Sequence, residues 1–223
     1  MWYKVNKRYI WAQQVRPSSR LPSAYQEVEY IENNGTAYFK LGINIRDGYK
    51  FIGKIRSLQN ENMDGGALTG GYIWNSGNIY YRLYVWAIRN GRRSYGYLEH
   101  FTNGGTGNGS LNTDYTVEYS WISGNAYFKV NNTTYFTYTS TYSTDKVGEV
   151  PLLGWYGDGY GYYANPGIRL YYAQYYDKNG NLVRDLVPCY RKSDWVIWMY
   201  DLVNNQFYIN SWSWTFTKWP DVN

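Results

Sequence analysis

Nowhere in this chain do apolar residues recur at helical spacing. They alternate with polar ones in short runs, each closed by Gly, Asn, Asp or Ser. That pattern excludes a helical body and predicts an all-β fold. Residues Tyr25 to Glu32 alternate and stop at Asn33-Asn34-Gly35, and a second run covers Thr36 to Ile43. The Asn-Asn-Gly between them predicts a hairpin. Further strands are expected at Lys50 to Arg56, Ile79 to Ile88, Arg93 to His100, Tyr115 to Trp121, Ala126 to Val130 and Thr133 to Tyr138. The last of these follows an Asn131-Asn132 turn. Runs at Val150 to Tyr156, Ile168 to Tyr176, Leu182 to Val187, Val196 to Tyr200, Gln206 to Ile209 and Thr215 to Thr217 complete the series. Short strands at this spacing with polar turns fit a sandwich or barrel.

Composition supports the same reading. The chain has 223 residues, a length common for a single large β domain. Its 29 Tyr, 11 Trp and 7 Phe make 21% of the sequence, and aromatic rings suit a pleated, half-buried surface. No stretch reaches the roughly 20 apolar residues of a membrane span, so no membrane partner is expected. Cys189 is the one cysteine and excludes an internal disulfide. The first residues, MWYKVNKRYIWAQQVRP, lack the apolar run of a secretion signal, which points to folding in a cytoplasm.

Charge is unevenly placed. Lys4, Lys7, Arg8, Arg16 and Arg20 fall in the first 20 residues with no acid among them, and account for the whole formal charge of +5. The rest of the chain is balanced. The Pro/Ser-rich segment RPSSRLPS marks a joint, giving a basic arm at 1–20 and a β domain at 21–223. Such an arm suits docking to an acidic partner surface. Nucleic acid is not expected, because the body is neutral and five charges make a thin electrostatic footprint.

Two segments carry a resemblance. LPSAYQEVEYIENNGTAYFKLGI, near the start, resembles the opening strands of a concanavalin A-like (laminin G-like) jelly-roll domain. YYDKNGNLVRDLVPCYRKSDWVIWMYDLVNNQFYINSWSWTF resembles its closing part. Domains of this kind occur in gut-bacterial surface proteins and bacteriophage structural proteins. The resemblance implies a jelly-roll β-sandwich with a short N-terminal arm. It further implies an appendage (tail, baseplate or head fibre) attached to other virion proteins by that arm and facing host surface glycans. A virion location, after synthesis in the host cytoplasm, and a homo-oligomeric state follow from the same comparison. One departure stands out. The resembling hairpins usually carry glycine where this chain has Trp198, Trp212, Trp214 and Trp219.

Glu27, Glu29 and Glu32 form E-x-E-x-x-E, close to the E-x-D-x-x-E strand of some sandwich-fold glycosidases. Retaining hydrolysis needs two carboxyls roughly 5 to 5.5 Å apart. Strict alternation would place Glu27 and Glu29 on one face and Glu32 on the other, so the sequence favours a non-enzyme, with hydrolysis through Glu27 and Glu32 as the alternative. His100 is the single histidine, and neither a resident metal nor a cofactor is expected. Asp177-Lys-Asn179-Gly-Asn181 has alternate oxygen ligands but reads more simply as a turn. Sugars present apolar C–H faces ringed by hydroxyls, which Trp and Tyr flanked by polar groups suit. GGYIWNSGNIYYRLYVW and LLGWYGDGYGYY meet that description. Trp74, Tyr81, Trp155, Tyr156, Asp158 and Tyr160 are the candidate glycan contacts.

Overall fold

The computed structural model describes residues 20–33, 35, 37–44, 49–58, 68–75, 78–89, 92–99, 104–105, 110–122, 125–139, 149–157, 161–164, 167–211 and 216–222. Among them every regular element is a strand. In order these are β1 (Tyr25–Asn33), β2 (Phe39–Asn44), β3 (Tyr49–Ser57), β4 (Thr69–Asn75), β5 (Asn78–Arg89), β6 (Arg92–Glu99), β7 (Gly104–Gly105), β8 (Asp114–Ile122) and β9 (Asn125–Val130). There follow β10 (Thr133–Thr139), β11 (Glu149–Leu152), β12 (Gly154–Gly157), β13 (Gly161–Ala164), β14 (Ile168–Tyr176), β15 (Leu182–Arg191), β16 (Ile197–Asp201), β17 (Gln206–Ile209) and β18 (Thr217–Asp221). With no helix among the described residues, none is long and apolar enough to cross a membrane.

The strands make two sheets. The larger runs β10-β9-β8-β3-β14-β1-β15-β16-β17, with β18 beside β1. The smaller runs β13-β12-β4-β5-β6-β7, and β11 joins β2 to it. All pairings are antiparallel except β12 with β4. Alternation does what the sequence anticipates. Along β3, Tyr49, Phe51, Gly53, Ile55 and Ser57 are buried while the residues between them are half-buried. One core gathers Val28, Ile31, Phe51, Ile55, Val117, Phe128, Leu170 and Leu186 of the larger sheet against Phe39, Leu41, Val150 and Leu152 of the smaller. The Tyr175 hydroxyl donates to Thr69 Oγ1 across the sheets at 3.2 Å. The result is the expected all-β sandwich.

Several turns match their sequence signals. Asn131 and Asn132 take φ of 48° and 64° and close the β9–β10 hairpin, as two adjacent left-handed residues must. Asp177 receives the backbone N–H groups of Asn179 and Asn181 at 2.8 and 2.9 Å, and Gly180 turns at φ 84°. The Asn181 side-chain amide, donating to Asp177 Oδ2 at 2.9 Å, together with these backbone bonds holds the Asp177 carboxyl below its usual range. The β1–β2 hairpin, however, does not form. β1 pairs with β14, β15 and β18, whereas β2 pairs with β11. Asn33 is buried, and its Nδ2 donates to the Ala37 carbonyl at 2.7 Å, so the Asn-Asn-Gly stretch lies where the chain passes from one sheet to the other. The Val150 to Tyr156 run is two strands. Leu153, at φ 62°, breaks it and donates its N–H to the Leu68 carbonyl, after which the chain pairs in parallel with β4.

β15 pairs with β1, so the two stretches that carry the resemblance are neighbours in space. A second small core covers the outside of this junction, formed by Leu21, Val187, Cys189 and Tyr200, with Tyr25, Trp198 and Phe207 packed on it. Trp198 meets Tyr25 and Phe207 edge-on at 6.3 and 5.6 Å, yet its indole N–H has no partner among the described residues. Trp212 and Trp214 lie outside the described residues, and for Trp219 only the backbone, paired with Tyr30, is described.

Candidate functional site

The three glutamates do not behave as alternation alone predicts. Val28 and Ile31 are the core residues of β1, three positions apart rather than two. The strand turns there, where its pairing passes from β15 at Tyr25–Glu27 to β14 at Ile31–Asn33. Glu32 therefore emerges on the same outer surface as its partner Arg169, whose Nε donates to Glu32 Oε1 at 2.8 Å. The Arg169 guanidinium in turn lies 3.8 Å from the Tyr30 ring centroid. Glu27 is ion-paired with Arg20. Both carboxylates proposed for hydrolysis are thus held by arginines.

Glu27 and Glu29 line a cleft of about 380 Å³ on this outer surface. Its other walls are Arg20 at the mouth, Tyr171, Tyr172 and Gln174 from β14, and Asp185 and Val187 from β15. The two consecutive tyrosines share a face because of a bulge. β14 pairs Leu170 with Ile55 but Tyr172 with Lys54, leaving Tyr171 as the extra residue. Tyr171 donates its hydroxyl to Asp114 Oδ1 at 2.9 Å, and Lys54 sits 4.3 Å from its ring centroid. Gln174 Nε2 donates to Asp185 Oδ1 at 3.1 Å, and Tyr176 donates to the other end of the same amide at 3.0 Å. These bonds fix the polar wall. Tyr172 and Glu29, by contrast, have no ring, cation or hydrogen-bond partner among the described residues. A half-buried ring beside an unpaired carboxylate and an oriented amide is what a polyhydroxylated ligand uses: the ring for C–H faces, the acceptors for hydroxyls.

The aromatic candidates chosen from sequence are arranged differently. Trp155 and Tyr156 are adjacent on β12 and point to opposite faces of the smaller sheet. Tyr156 packs on Tyr162 at 4.9 Å, and Tyr162 stacks on Tyr38 at 5.3 Å with Lys40 4.3 Å from its ring. The Tyr162 hydroxyl donates to Glu149 Oε2 at 3.3 Å, and burial together with that carboxylate pushes its phenol up to about 12. The rings of this patch are occupied by one another. Trp74 falls on β4, which pairs with β12, and Tyr81 falls on β5, the next strand out, where it pairs with Ile73. Asp158 and Tyr160 lie outside the described residues, as do Lys4, Lys7, Arg8 and Arg16 of the arm. Arg20, the last of the five basic residues expected in an arm, is ion-paired with Glu27. No group of three or more metal-ligating side chains converges among the described residues.

No family model matches the chain, and no curated protein does. Among solved structures, it superposes on a candidate carbohydrate-binding protein from Bacteroides ovatus with a TM-score of 0.56 at 11% identity. The likeness is one of fold. It covers 88% of this chain, which spans 62% of the length of that protein. A trans-sialidase-active mutant of Trypanosoma rangeli sialidase matches at a TM-score of 0.41 and 12% identity, over 58% of this chain and 20% of its own. Sheep galectin-11 matches at 0.34 and 13%, over 63% of this chain and 98% of its own.

Proposed function

We propose that this chain is a non-catalytic saccharide-binding module, and that the cleft between β1, β14 and β15 is its binding site. The observation that carries this is the convergence of the unpartnered Tyr172 ring and Glu29 carboxylate on a cleft whose amide and Asp185 are already oriented. The sandwich fold shared with the Bacteroides ovatus protein, itself a candidate for carbohydrate binding, is in keeping with the same role. Hydrolysis through Glu27 and Glu32 is the weaker reading, since Glu32 is engaged by Arg169 and does not line the cleft.

The finer reading is a bacteriophage appendage. Its support is the resemblance at both ends of the chain and the concentration of net charge in residues 1–20, which suits docking to other virion proteins. In this reading the sandwich faces host surface polysaccharide, and copies assemble symmetrically on the particle. The test is binding of the purified full chain to a glycan array and to host cells, alongside a Tyr172→Ala variant. Saccharide binding that is lost in the variant supports the proposal. Tight binding to particles without any saccharide or cell binding would instead make this a capsid decoration protein.

A further inference from the structure

Four tyrosines on the outer face of the larger sheet share an arrangement. Tyr30 carries Arg169 at 3.8 Å, Tyr171 carries Lys54 at 4.3 Å, Tyr176 carries Lys50 at 4.0 Å and Tyr127 carries Lys129 at 4.6 Å. Each of these four rings is covered by a cation of the chain itself, and three of the four cations have a carboxylate within reach. Arg169 bonds Glu32, Lys54 reaches Asp114 at 3.5 Å, and Lys129 reaches Glu118 at 3.5 Å. The repeated unit is ring, cation, carboxylate. Tyr172, beside Tyr171 in the cleft, differs from these four. Its ring and the neighbouring Glu29 and Asp185 supply two of the three parts, and no described residue supplies the cation.

Resting on the saccharide-binding reading, we infer that the cleft selects an amino sugar with a free, protonated amine, and that this ammonium takes the place of the missing cation. It would stand over the Tyr172 ring, attracted by the negative face of the ring and by the carboxylates. Every charged group facing the position supports this balance. Glu27 is neutralised by Arg20 at the mouth, and Lys54 is drawn to Asp114 over Tyr171. Glu29 has no partner, and Asp185 has only the neutral Gln174 amide on its side chain, so an unbalanced negative charge remains at the cleft. An N-acetylated sugar loses the ammonium and gains bulk. A uronic or sialic acid brings a carboxylate against carboxylates and is excluded.

The test is calorimetric titration of the full chain at about pH 6, where a free amine holds its proton. The probes are glucosamine oligosaccharides, their N-acetylated counterparts and oligogalacturonate. The expected result is about tenfold tighter binding of the free-amine form than of the N-acetylated form, with no binding of the uronate. The advantage shrinks as salt is added. In Glu29→Gln and in Tyr172→Leu the ratio of the two affinities falls toward one, with thermal melts confirming that both variants fold. Equal affinities for the two forms in the unaltered protein would overturn the inference and leave the saccharide reading standing. A tenfold ratio that survives both substitutions would also overturn it. Failure of every saccharide to bind would remove the underlying reading itself.

Discussion

Three tyrosines meet in the core, and they do not have equal hydrogen bonding. Tyr49 lies 5.8 Å from Tyr119 and 6.3 Å from Tyr175, ring to ring. Tyr175 donates to Thr69, but the hydroxyls of Tyr49 and Tyr119 are buried with no partner among the described residues. Burial drives both of these phenols well above their ordinary range. A buried unpartnered hydroxyl costs about 1–3 kcal/mol, and a satisfied one contributes about 0.5–1.5 kcal/mol. Tyr119→Phe keeps the ring packing and deletes only the desolvated oxygen, so it should stabilise the fold by about 1 kcal/mol. Tyr175→Phe deletes the bond between the sheets and leaves Thr69 without its partner, so it should destabilise by about the same amount. In a protein of this size 1 kcal/mol moves Tm by about 2–4 °C, and urea unfolding followed by tryptophan fluorescence gives the free energies directly. If Tyr119→Phe melts lower than the unaltered protein, its hydroxyl is bonded and the reasoning fails.

Four further outcomes follow from single observations. Trp195 sits at φ 63° while 62% exposed, a backbone region costly for a side chain with a Cβ. Trp195→Gly should therefore be about 1 kcal/mol more stable than Trp195→Ala in thermal melts, since both lose the stack on Tyr190 and differ only in backbone freedom. Gly53→Ala would put a Cβ 2.7 Å from the Phe51 ring and 3.3 Å from the Tyr172 carbonyl, so it should cost about 1–3 kcal/mol by urea unfolding. Burial raises the Asp114 carboxyl, but hydrogen bonds from Arg56 and Tyr171 and the charges of Arg56 and Lys54 outweigh it, so its folded value is depressed. Its contribution is present above the ordinary carboxylate range and lost as pH falls through the folded value. Asp114→Asn should accordingly flatten the acid limb of a stability–pH curve, and an unchanged limb would contradict this. The Cys189 thiol is fully buried and pushed up to about 12 by burial and by Glu27, so thiol reagents should reach it only after unfolding.

Much of the fold was legible because it is local. Period-two alternation set nearly every strand, and Asn131-Asn132 and Asp177 to Asn181 announced their own turns. What failed was partnership. Asn33-Asn34-Gly35 has hairpin chemistry, but a turn dipeptide does not say whether the next strand returns to the same sheet. Here Asn33 bonds Ala37, and the following strand joins the other layer. β4 escapes the alternation because Gly70 and Gly71 dilute its pattern, and β13 because it is only four residues long and opens on a glycine.

The structure draws attention to a surface other than the one aromatic density marks, for a related reason. Aromatic density marked LLGWYGDGYGYY, yet Tyr156, Tyr162 and Tyr38 use their faces on each other. The cleft arises instead from a break in parity along IRLYYAQYY. Ile168 and Leu170 are core residues, and the next is Ala173, three positions on. That irregular step is visible in sequence and signals the bulge that turns both Tyr171 and Tyr172 outward. Glu29 stands out in the sequence only as a member of E-x-E-x-x-E, whose hydrolytic alternative rests on Glu27 and Glu32, and nothing in that motif marks it as a neighbour of β14.

The most direct measurement compares saccharide binding by the full chain with that of two variants, Tyr172→Ala and Tyr156→Ala, on one glycan panel. Loss of binding in the first with retention in the second is the result expected of a site between β1, β14 and β15. Loss in the second with retention in the first would place recognition on the smaller sheet and contradict the account.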